Sequence, residues 1–269
     1  MPLKIVLSES RGKYGGTFDS GLQMNVQQLS AVDMKKQGTY QQDVVINPAS
    51  LTSNIDKNIP QNSQNPNRFA LIIGNEHYTT NDGLSAEVPY ATNDAVIFKE
   101  YATKTLGIPE KNISFLTNTR STQMRNEIEN FAELMSINGS VKEFYIFYAG
   151  HGFYDSDGDP YLMPVDVKHT AIGDAVKLSD FYNLIGKHQT KKTTVFLDAC
   201  FSGGGRGNDY LVEGRTGIRG SPNETRVNNN IVVFAASQGE QASKPYEEQK
   251  HGLFSYYLLK KKFRIQREM

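Results

Sequence analysis

The chain has a single cysteine, Cys200, and it stands where an apolar run breaks into a glycine-rich loop, in the sequence TVFLDACFSGGGRG at 194–207. A thiol in this position has three interpretations. It is a small buried hydrophobe, the nucleophile of a cysteine peptidase, or the nucleophile of a phosphatase, because Cys200 and Arg206 have C-x5-R spacing.

A histidine stands in a comparable position at the end of another apolar run. His151 follows EFYIFYAG (143–150) and precedes Gly152. In acyl transfer, His151 would take the thiol proton or stabilise the thiolate, Cys200 would attack a carbonyl carbon, and the imidazolium would protonate the leaving amine. The backbone N–H groups of Gly152 and Cys200 are candidate donors to the oxyanion, each typically worth ~3 kcal/mol.

Alternating strands and helices are needed to bring these two residues together. Apolar runs predict strands at 69–74, 113–117, 143–150, 193–199 and 230–237, and helical spacing predicts helices at 93–106, 121–137 (with Ser121 as N-cap), 178–188 and 252–263. Apolar strands between amphipathic helices indicate an α/β sandwich with a sheet covered on both faces. Ligands bind beyond the carboxyl ends of the strands in such folds, so His151 and Cys200 should share one edge of the sheet.

The first 67 residues differ in composition from the rest. Residues 1–46 are predicted to form a small, mostly β extension or pro-segment, and 47–67 a polar linker rich in Asn, Gln, Ser and Pro. The catalytic domain is then expected at 68–269. An alternative for the first segment is a hairpin that packs against the main domain.

Bulk composition excludes several classes of protein. The 269 residues include 29 basic and 29 acidic side chains, so no net charge points to nucleic acid or to an anionic membrane. One cysteine excludes an internal disulfide and a thiolate-based zinc site. Apolar runs are too short for a membrane span or a secretory signal. Localisation stays open between the cytoplasm and export with the signal removed.

Through these motifs the sequence resembles the caspase-like cysteine peptidases. It resembles the bacterial and metacaspase-type branch more than the animal caspases. The resemblance covers about 68–263 and includes FYIFYAGHG, TVFLDACFSG, FALIIGNEHY, TNDA, GDPYLMPVD, AASQGEQA and HGLFSYYLL. It implies a caspase-like α/β/α sandwich with a mostly parallel central sheet. It also implies hydrolysis of peptide bonds in protein substrates by His151 and Cys200, with no cofactor required.

The resemblance further implies cleavage after Arg or Lys. The matching acidic positions are Asp94 and Asp198, and Ser237 and Gln238 are expected to border the same S1 pocket. A guanidinium entering a narrow pocket loses water, which carboxylates must replace. The alternatives are that Asp94 caps the helix at 93–106 and that Asp198 holds a loop.

A long polar segment, 203–226, joins the last two predicted strands. In the family it corresponds to a linker that is often cut during activation. Self-cleavage would match the expected specificity at Arg206, Arg215, Arg219 or Arg226.

The sequence DSDGDP at 155–160 invites a calcium interpretation through Asp155, Asp157 and Asp159. Pro160 occupies the position of the obligatory EF-hand glycine, and Asp166 replaces the final Glu. A loop of turn-forming residues is therefore favoured over a calcium site.

Two rival functions remain. A C-x5-R phosphatase needs a helix after its loop to hold phosphate, and GNDYLVEGRTG predicts none. The other rival is a caspase-like module kept for interaction. The family would lead us to expect a further strand and helix after 263, and a sheet without them would present an open edge to a partner.

Overall fold

The computed structural model describes residues 53–79, 85–137, 139–155, 157–167, 172–201, 230–236 and 244–264, together with three short strands before residue 27. The chain divides into two compact units, 1–40 and 41–269. Within the described residues, no helix is both long and apolar enough to cross a membrane.

The first unit contains an antiparallel sheet. Its strands are β1 (Ser8–Ser10), β2 (Lys13–Thr17) and β3 (Gln23–Val26), paired in the order β1-β2-β3. This β structure lies within the segment for which a small β extension is predicted.

The second unit alternates strands and helices from residue 68 onward. Its strands are β4 (Arg68–Gly74), β5 (His77–Thr79), β6 (Ser85–Glu87), β7 (Ile113–Thr117), β8 (Glu143–Ala149), β9 (Gly152–Tyr154), β10 (Pro160–Leu162), β11 (Val176–Lys177), β12 (Lys192–Asp198), β13 (Ile231–Ala235), β14 (Pro245–Tyr246) and β15 (His251–Gly252). Its α-helices are α1 (Ala91–Lys104), α2 (Ser121–Ser136), α3 (Leu178–Ile185) and α4 (Leu253–Tyr257), and a π-helical segment (Leu258–Arg264) continues α4. Short 3-10 turns lie at Glu110–Asn112, Gly139–Val141, Ile172–Asp174 and Glu247–Gln249.

Five parallel strands form the central sheet, in the order β13-β12-β8-β4-β7. The first strand of this sheet in chain order is β4. The next, β7, lies on one side of β4, and β8, β12 and β13 follow on the other side. The other sheets in the described part of the second unit are smaller and antiparallel, and one of them, β9-β10-β11, begins in the chain three residues after the end of β8. The predicted α/β sandwich with a mostly parallel sheet is confirmed.

Helices cover both faces of the sheet because successive strand residues point to opposite sides. On one face, Ile72, Phe147 and Phe196 join a core with residues of α1 and α4. On the other face, alternate strand residues such as Leu71 and Ile146 pack with residues of α2 and α3. The three inner strands are buried along almost their whole length, which is why their sequences are apolar throughout.

Helix starts differ in detail from the sequence prediction. The N-cap of α2 is Arg120, so the prediction of Ser121 as N-cap was wrong. Ser121 is instead the first helical residue, and its amide donates to Asp166 Oδ1 at 2.7 Å. A carboxylate from a distant loop thus accepts from an amide that the helix leaves without an intrahelical acceptor.

Residues 53–67, which share the polar composition of the predicted linker, belong to the second unit and pack against the rest of it. Ile55 is fully buried and belongs to the core cluster on the α1 face. Its carbonyl accepts from the Tyr101 hydroxyl at 2.9 Å, and the Asn62 amide donates to the Lys104 carbonyl at 2.8 Å. Residues 53–67 are therefore held by specific contacts despite their polar composition.

Close packing of α1 on β4 requires a glycine at residue 74. A Cβ at Gly74 would lie 2.6 Å from the Ala95 Cβ and 2.7 Å from the Ala91 carbonyl oxygen, which is too close for either to remain in place. We expect Gly74→Ala to push α1 from the sheet and destabilise the domain by about 1–3 kcal/mol, which lowers the thermal midpoint by about 3–10 °C.

Circular dichroism during heating would measure this effect. The matched control is Gly173→Ala, because a Cβ at Gly173 has no neighbour within 4 Å. Equal midpoints for the two variants would contradict the packing argument.

Candidate active site

The register of the sheet places three strand ends at the same level. Ala149 of β8 is paired with Gly74 of β4 on one side and with Asp198 of β12 on the other. The Gly150 amide continues this pairing with a hydrogen bond to the Asp198 carbonyl at 3.2 Å. His151 and Cys200 each follow two residues after this paired level, so both lie just beyond the same edge of the sheet.

Two tyrosine hydroxyls hold the backbone of His151. The His151 amide donates to the Tyr78 hydroxyl at 2.9 Å, and the Tyr148 hydroxyl donates to the His151 carbonyl at 2.8 Å. The ring of Tyr78 also meets the imidazole edge-on, with 4.5 Å between the ring centroids. Burial raises the pKa of Tyr148 well above its usual value, so this donor keeps its proton.

Gly150 makes room for these hydroxyls. A Cβ at this position would lie 2.7 Å from the hydroxyl oxygen of Tyr78 and 2.7 Å from that of Tyr148. Glycine before His151 is therefore required by the tyrosine contacts. Sequence reasoning did not identify either tyrosine, although the motifs NEHY and FYIFYAG that carry them were noted.

A second glycine, Gly152, allows the backbone of Cys200 to pack closely against the loop that carries His151. A Cβ at Gly152 would lie 2.9 Å from the Cys200 carbonyl oxygen and 2.6 Å from the Phe201 ring. Only a residue without a side chain allows the two loops to come this close. Cys200 and His151 are both buried, with 4% and 3% of their surfaces exposed.

Asp94 lies in the first turn of α1 and is completely buried. Its carboxylate accepts from the Gly252 amide, at 3.2 Å to Oδ1 and 3.0 Å to Oδ2, and contacts the Nδ1 of His251 at 2.7 Å. The amides at the start of α1, those of Tyr90 and Thr92, donate instead to the carboxylate of Glu76. The suggestion that Asp94 caps this helix was therefore wrong.

Asp198 is the last residue of β12 and is also completely buried. Its Oδ2 accepts from the Ser255 hydroxyl at 2.6 Å and from the Ser255 amide at 3.2 Å. These contacts tie the start of α4 to the end of the strand, so Asp198 does hold a neighbouring segment. Hydrogen bonds of this kind to a carboxylate are the strong ones in proteins.

His251 was not among the residues singled out from the sequence. It is fully buried between Asp94 and Asp56, with Nε2 at 2.8 Å from the Asp56 carboxylate. Burial lowers the pKa of His251, but hydrogen bonds and charge attraction from the two aspartates outweigh burial and raise the pKa to about 9. The imidazole is therefore charged at neutral pH. Its motif, HGLFS, was visible only as part of the family resemblance.

The loop at 155–160 is closed by its own hydrogen bonds. Asp155 Oδ1 accepts from the amides of Asp157 and Asp159 at 3.0 and 2.9 Å, and Asp155 Oδ2 accepts from Tyr161. Asp159 pairs with Lys177 at 2.6 Å. Such contacts are typical of an Asx turn, and the preference for a loop of turn-forming residues over a calcium site stays a prediction.

Glu76, His77 and Glu87 form a separate group, whose possible ligand atoms lie within 4.8 Å of one another. Glu76 accepts hydrogen bonds at the start of α1, and His77 Nδ1 lies 2.6 Å from Glu87. These contacts give the group a structural role without an ion.

Several predicted residues lie outside the part of the chain that the structure describes. They are Ser237 and Gln238 of the predicted S1 pocket, and the candidate self-cleavage residues Arg206, Arg215, Arg219 and Arg226. Their roles stay predictions.

Two features define the class of protein. One is a parallel five-stranded sheet with helices on both faces, and the other is a histidine and a cysteine that lie beyond the ends of adjacent strands. The family model of the caspase domain (peptidase family C14) matches residues 67–264. The chain belongs to this family.

Solved structures with similarity to the chain include two crystal structures. One, of a protein from Geobacter sulfurreducens, has 21% identity, a TM-score of 0.40 and an alignment over 50% of this chain and 51% of that chain. The other is caspase-1 from Spodoptera frugiperda, with 15% identity, a TM-score of 0.49 and an alignment over 76% of this chain and 72% of that chain. The chain thus spans about half of the length of the Geobacter protein. No curated protein matches the chain significantly.

The contact between Tyr78 and His151 leads to a test of site geometry. Tyr78→Phe keeps the ring but removes the acceptor of the His151 amide, which should reduce the kcat for peptide hydrolysis by about 2–10-fold at little change in KM. Initial rates over a range of substrate concentration would measure both constants.

Tyr145→Phe is the matched control. It removes a hydroxyl that contacts Glu143, at the opposite end of β8 from the site. Its kcat should equal that of the unmodified protein. An equal loss in both variants would contradict a specific role for Tyr78.

Proposed function

We propose that the protein is a cysteine endopeptidase that cleaves peptide bonds after Arg or Lys. His151 acts as the base that activates the thiol and then as the acid for the leaving amine, and Cys200 is the nucleophile. The observation that carries this proposal is the pairing of Ala149 with Asp198, which puts each residue two positions beyond a shared level of the sheet. Membership of the caspase-domain family supports the same pair.

The backbone amides of Gly152 and Cys200 are proposed to stabilise the oxyanion. The close approach of the Gly152 loop to the Cys200 carbonyl supports this assignment, since both amides belong to backbone that meets at one edge. Donors fixed by backbone need no reorganisation when charge develops on the substrate oxygen.

The preference for a basic residue before the cleaved bond is proposed to come from Asp94 and Asp198, with Ser237 and Gln238 at the pocket border. Support comes from the burial of both carboxylates, because a buried carboxylate strongly favours a nearby cation. A substrate guanidinium also offers five donors, in a planar arrangement that suits carboxylate oxygens.

A panel of fluorogenic peptides that differ only in the P1 residue tests the proposal, with and without calcium. We expect kcat/KM for Arg and Lys to exceed that for Asp or Leu by at least about 100-fold, since carboxylates shielded from bulk water attract a cationic side chain strongly and repel an acidic one. Cys200→Ala should remove all activity. Asp94→Asn combined with Asp198→Asn should reduce cleavage after Arg by more than about 100-fold, because each change removes a charge that pairs with the substrate cation.

Other results would replace this function. Preferred cleavage after Asp would contradict the basic pocket. Absence of peptide cleavage and of labelling by an Arg-type covalent inhibitor would indicate an interaction module. Hydrolysis of an aryl phosphate without peptidase activity would indicate a phosphatase. An unchanged rate after calcium addition would leave the peptidase assignment intact and exclude activation by that ion.

Self-cleavage within 203–226 is a further proposal, supported by the four arginines of that segment and the expected specificity. The unmodified protein should yield two fragments during incubation, with the new N-terminus directly after Arg206, Arg215, Arg219 or Arg226. Cys200→Ala should stay a single chain. Electrophoresis and mass spectrometry would show the fragments, and identical patterns for the two proteins would contradict the proposal.

A further inference from the structure

One five-residue segment contacts both of the acidic residues expected in the substrate pocket. Residues 251–255 (HGLFS) span β15 and the start of α4. Its first two residues contact Asp94, through His251 Nδ1 at 2.7 Å and the Gly252 amide at 3.0 Å. Its last residue, Ser255, donates its hydroxyl to Asp198 at 2.6 Å and its amide at 3.2 Å.

The spacing of Gly252 and Ser255 lets one short segment contact both carboxylates. Gly252 and Ser255 are three residues apart at the start of a helix, which separates them by nearly one turn. Asp94 comes from the first turn of α1, whereas Asp198 comes from the end of β12, so the two carboxylates belong to different elements. The segment is therefore a common anchor for two side chains that the fold brings in separately.

His251 extends the anchor to a third carboxylate. Its Nε2 lies 2.8 Å from Asp56, whose own Oδ2 accepts from the Ser53 amide at 3.1 Å. The imidazole and both aspartates are buried. Each nitrogen of the ring therefore lies at hydrogen-bond distance from a carboxylate oxygen.

We propose that His251 and Ser255 are positioning residues for the substrate pocket, which fix the carboxylates of Asp94 and Asp198 for a basic P1 side chain. This inference rests on the proposed function. Neither residue is required to touch the substrate. Each acts by holding a carboxylate in one orientation, since a carboxylate free to rotate would have to be ordered again when the substrate cation enters. Ser255 fixes one oxygen of Asp198, and His251 with Gly252 fixes Asp94.

Ser255→Ala is the first test, because it removes only one hydroxyl. We expect KM for a P1-Arg peptide to rise about 10–100-fold, which is the usual effect of a lost hydrogen bond to a charged group, and kcat to change less than about 2-fold. Alkylation of Cys200 by iodoacetamide, which has no P1 group, should keep its rate. Ser255→Thr retains a hydroxyl and should restore KM.

Ser114→Ala is the matched control. The Ser114 hydroxyl donates to the Glu127 carboxylate at 2.5 Å, near the amino end of β7 and away from the strand ends that form the site, so this change also removes a serine-to-carboxylate hydrogen bond. Its KM should equal that of the unmodified protein. A KM of Ser255→Ala equal to that of Ser114→Ala would overturn the inference.

His251→Gln provides a second test through pH. Among the residues that the structure describes, the charged groups that face the imidazole are Asp56 from residues 53–67 and Asp94 from α1. The pKa of His251 is raised, so its contribution is present at neutral pH and lost as pH rises through about 9. The KM for the P1-Arg peptide should therefore rise above pH ~9 in the unmodified protein and in Ser255→Ala, since the substrate arginine stays charged there.

In His251→Gln this alkaline rise should be absent, with KM already high at pH 7. An identical alkaline rise in His251→Gln would overturn the role of His251. A parallel loss of kcat, alkylation rate and thermal midpoint in Ser255→Ala would overturn the positioning role in favour of a purely structural one. Failure of the unmodified protein to cleave any P1-Arg peptide would overturn the proposed function, and this inference with it.

Discussion

Parallel pairing of β8 with β12 determines where His151 and Cys200 lie. The ladder joins Ala149 to Asp198 and then breaks, and the backbone of each strand continues for two residues to His151 and Cys200. A shift of the pairing by one residue would exchange the faces of the side chains and separate the two loops. Close packing of side chains of different shape in the cores on the two faces resists such a shift, so core packing also determines the geometry of the site.

Two glycines, together with the strand register, determine the geometry around His151. Gly150 leaves space for two tyrosine hydroxyls, and Gly152 leaves space for the backbone of Cys200 and the ring of Phe201. Both glycines are adjacent to His151, which is thus held through its own peptide groups by Tyr78 and Tyr148. The AGHG motif follows from these spatial requirements.

The fold was predictable because its signals are local. Continuous apolar runs and helical spacing identified all five strands of the main sheet and the four helices to within a few residues, since burial on both faces leaves a strong pattern. His151 and Cys200 were found through their positions after strands. By contrast, Tyr78, His251 and Ser255 act through contacts with residues distant in sequence, and no local pattern encodes those contacts. The acceptor at the start of α1 was missed for the same reason. The first backbone amides of this helix donate to Glu76, which lies in a loop, and not to Asp94, which lies in the helix itself.

The bridge from Asp56 through His251 to Asp94 has a consequence for the divergence of related chains. Removal of one member of a buried, charged group leaves the others uncompensated, whereas replacement of the whole group by apolar residues of similar volume is tolerated far better. Substitutions at these three positions should therefore be correlated across homologues. Asp56 lies in a stretch whose composition resembles a spacer, yet we expect its substitution to depend on a histidine almost two hundred residues away.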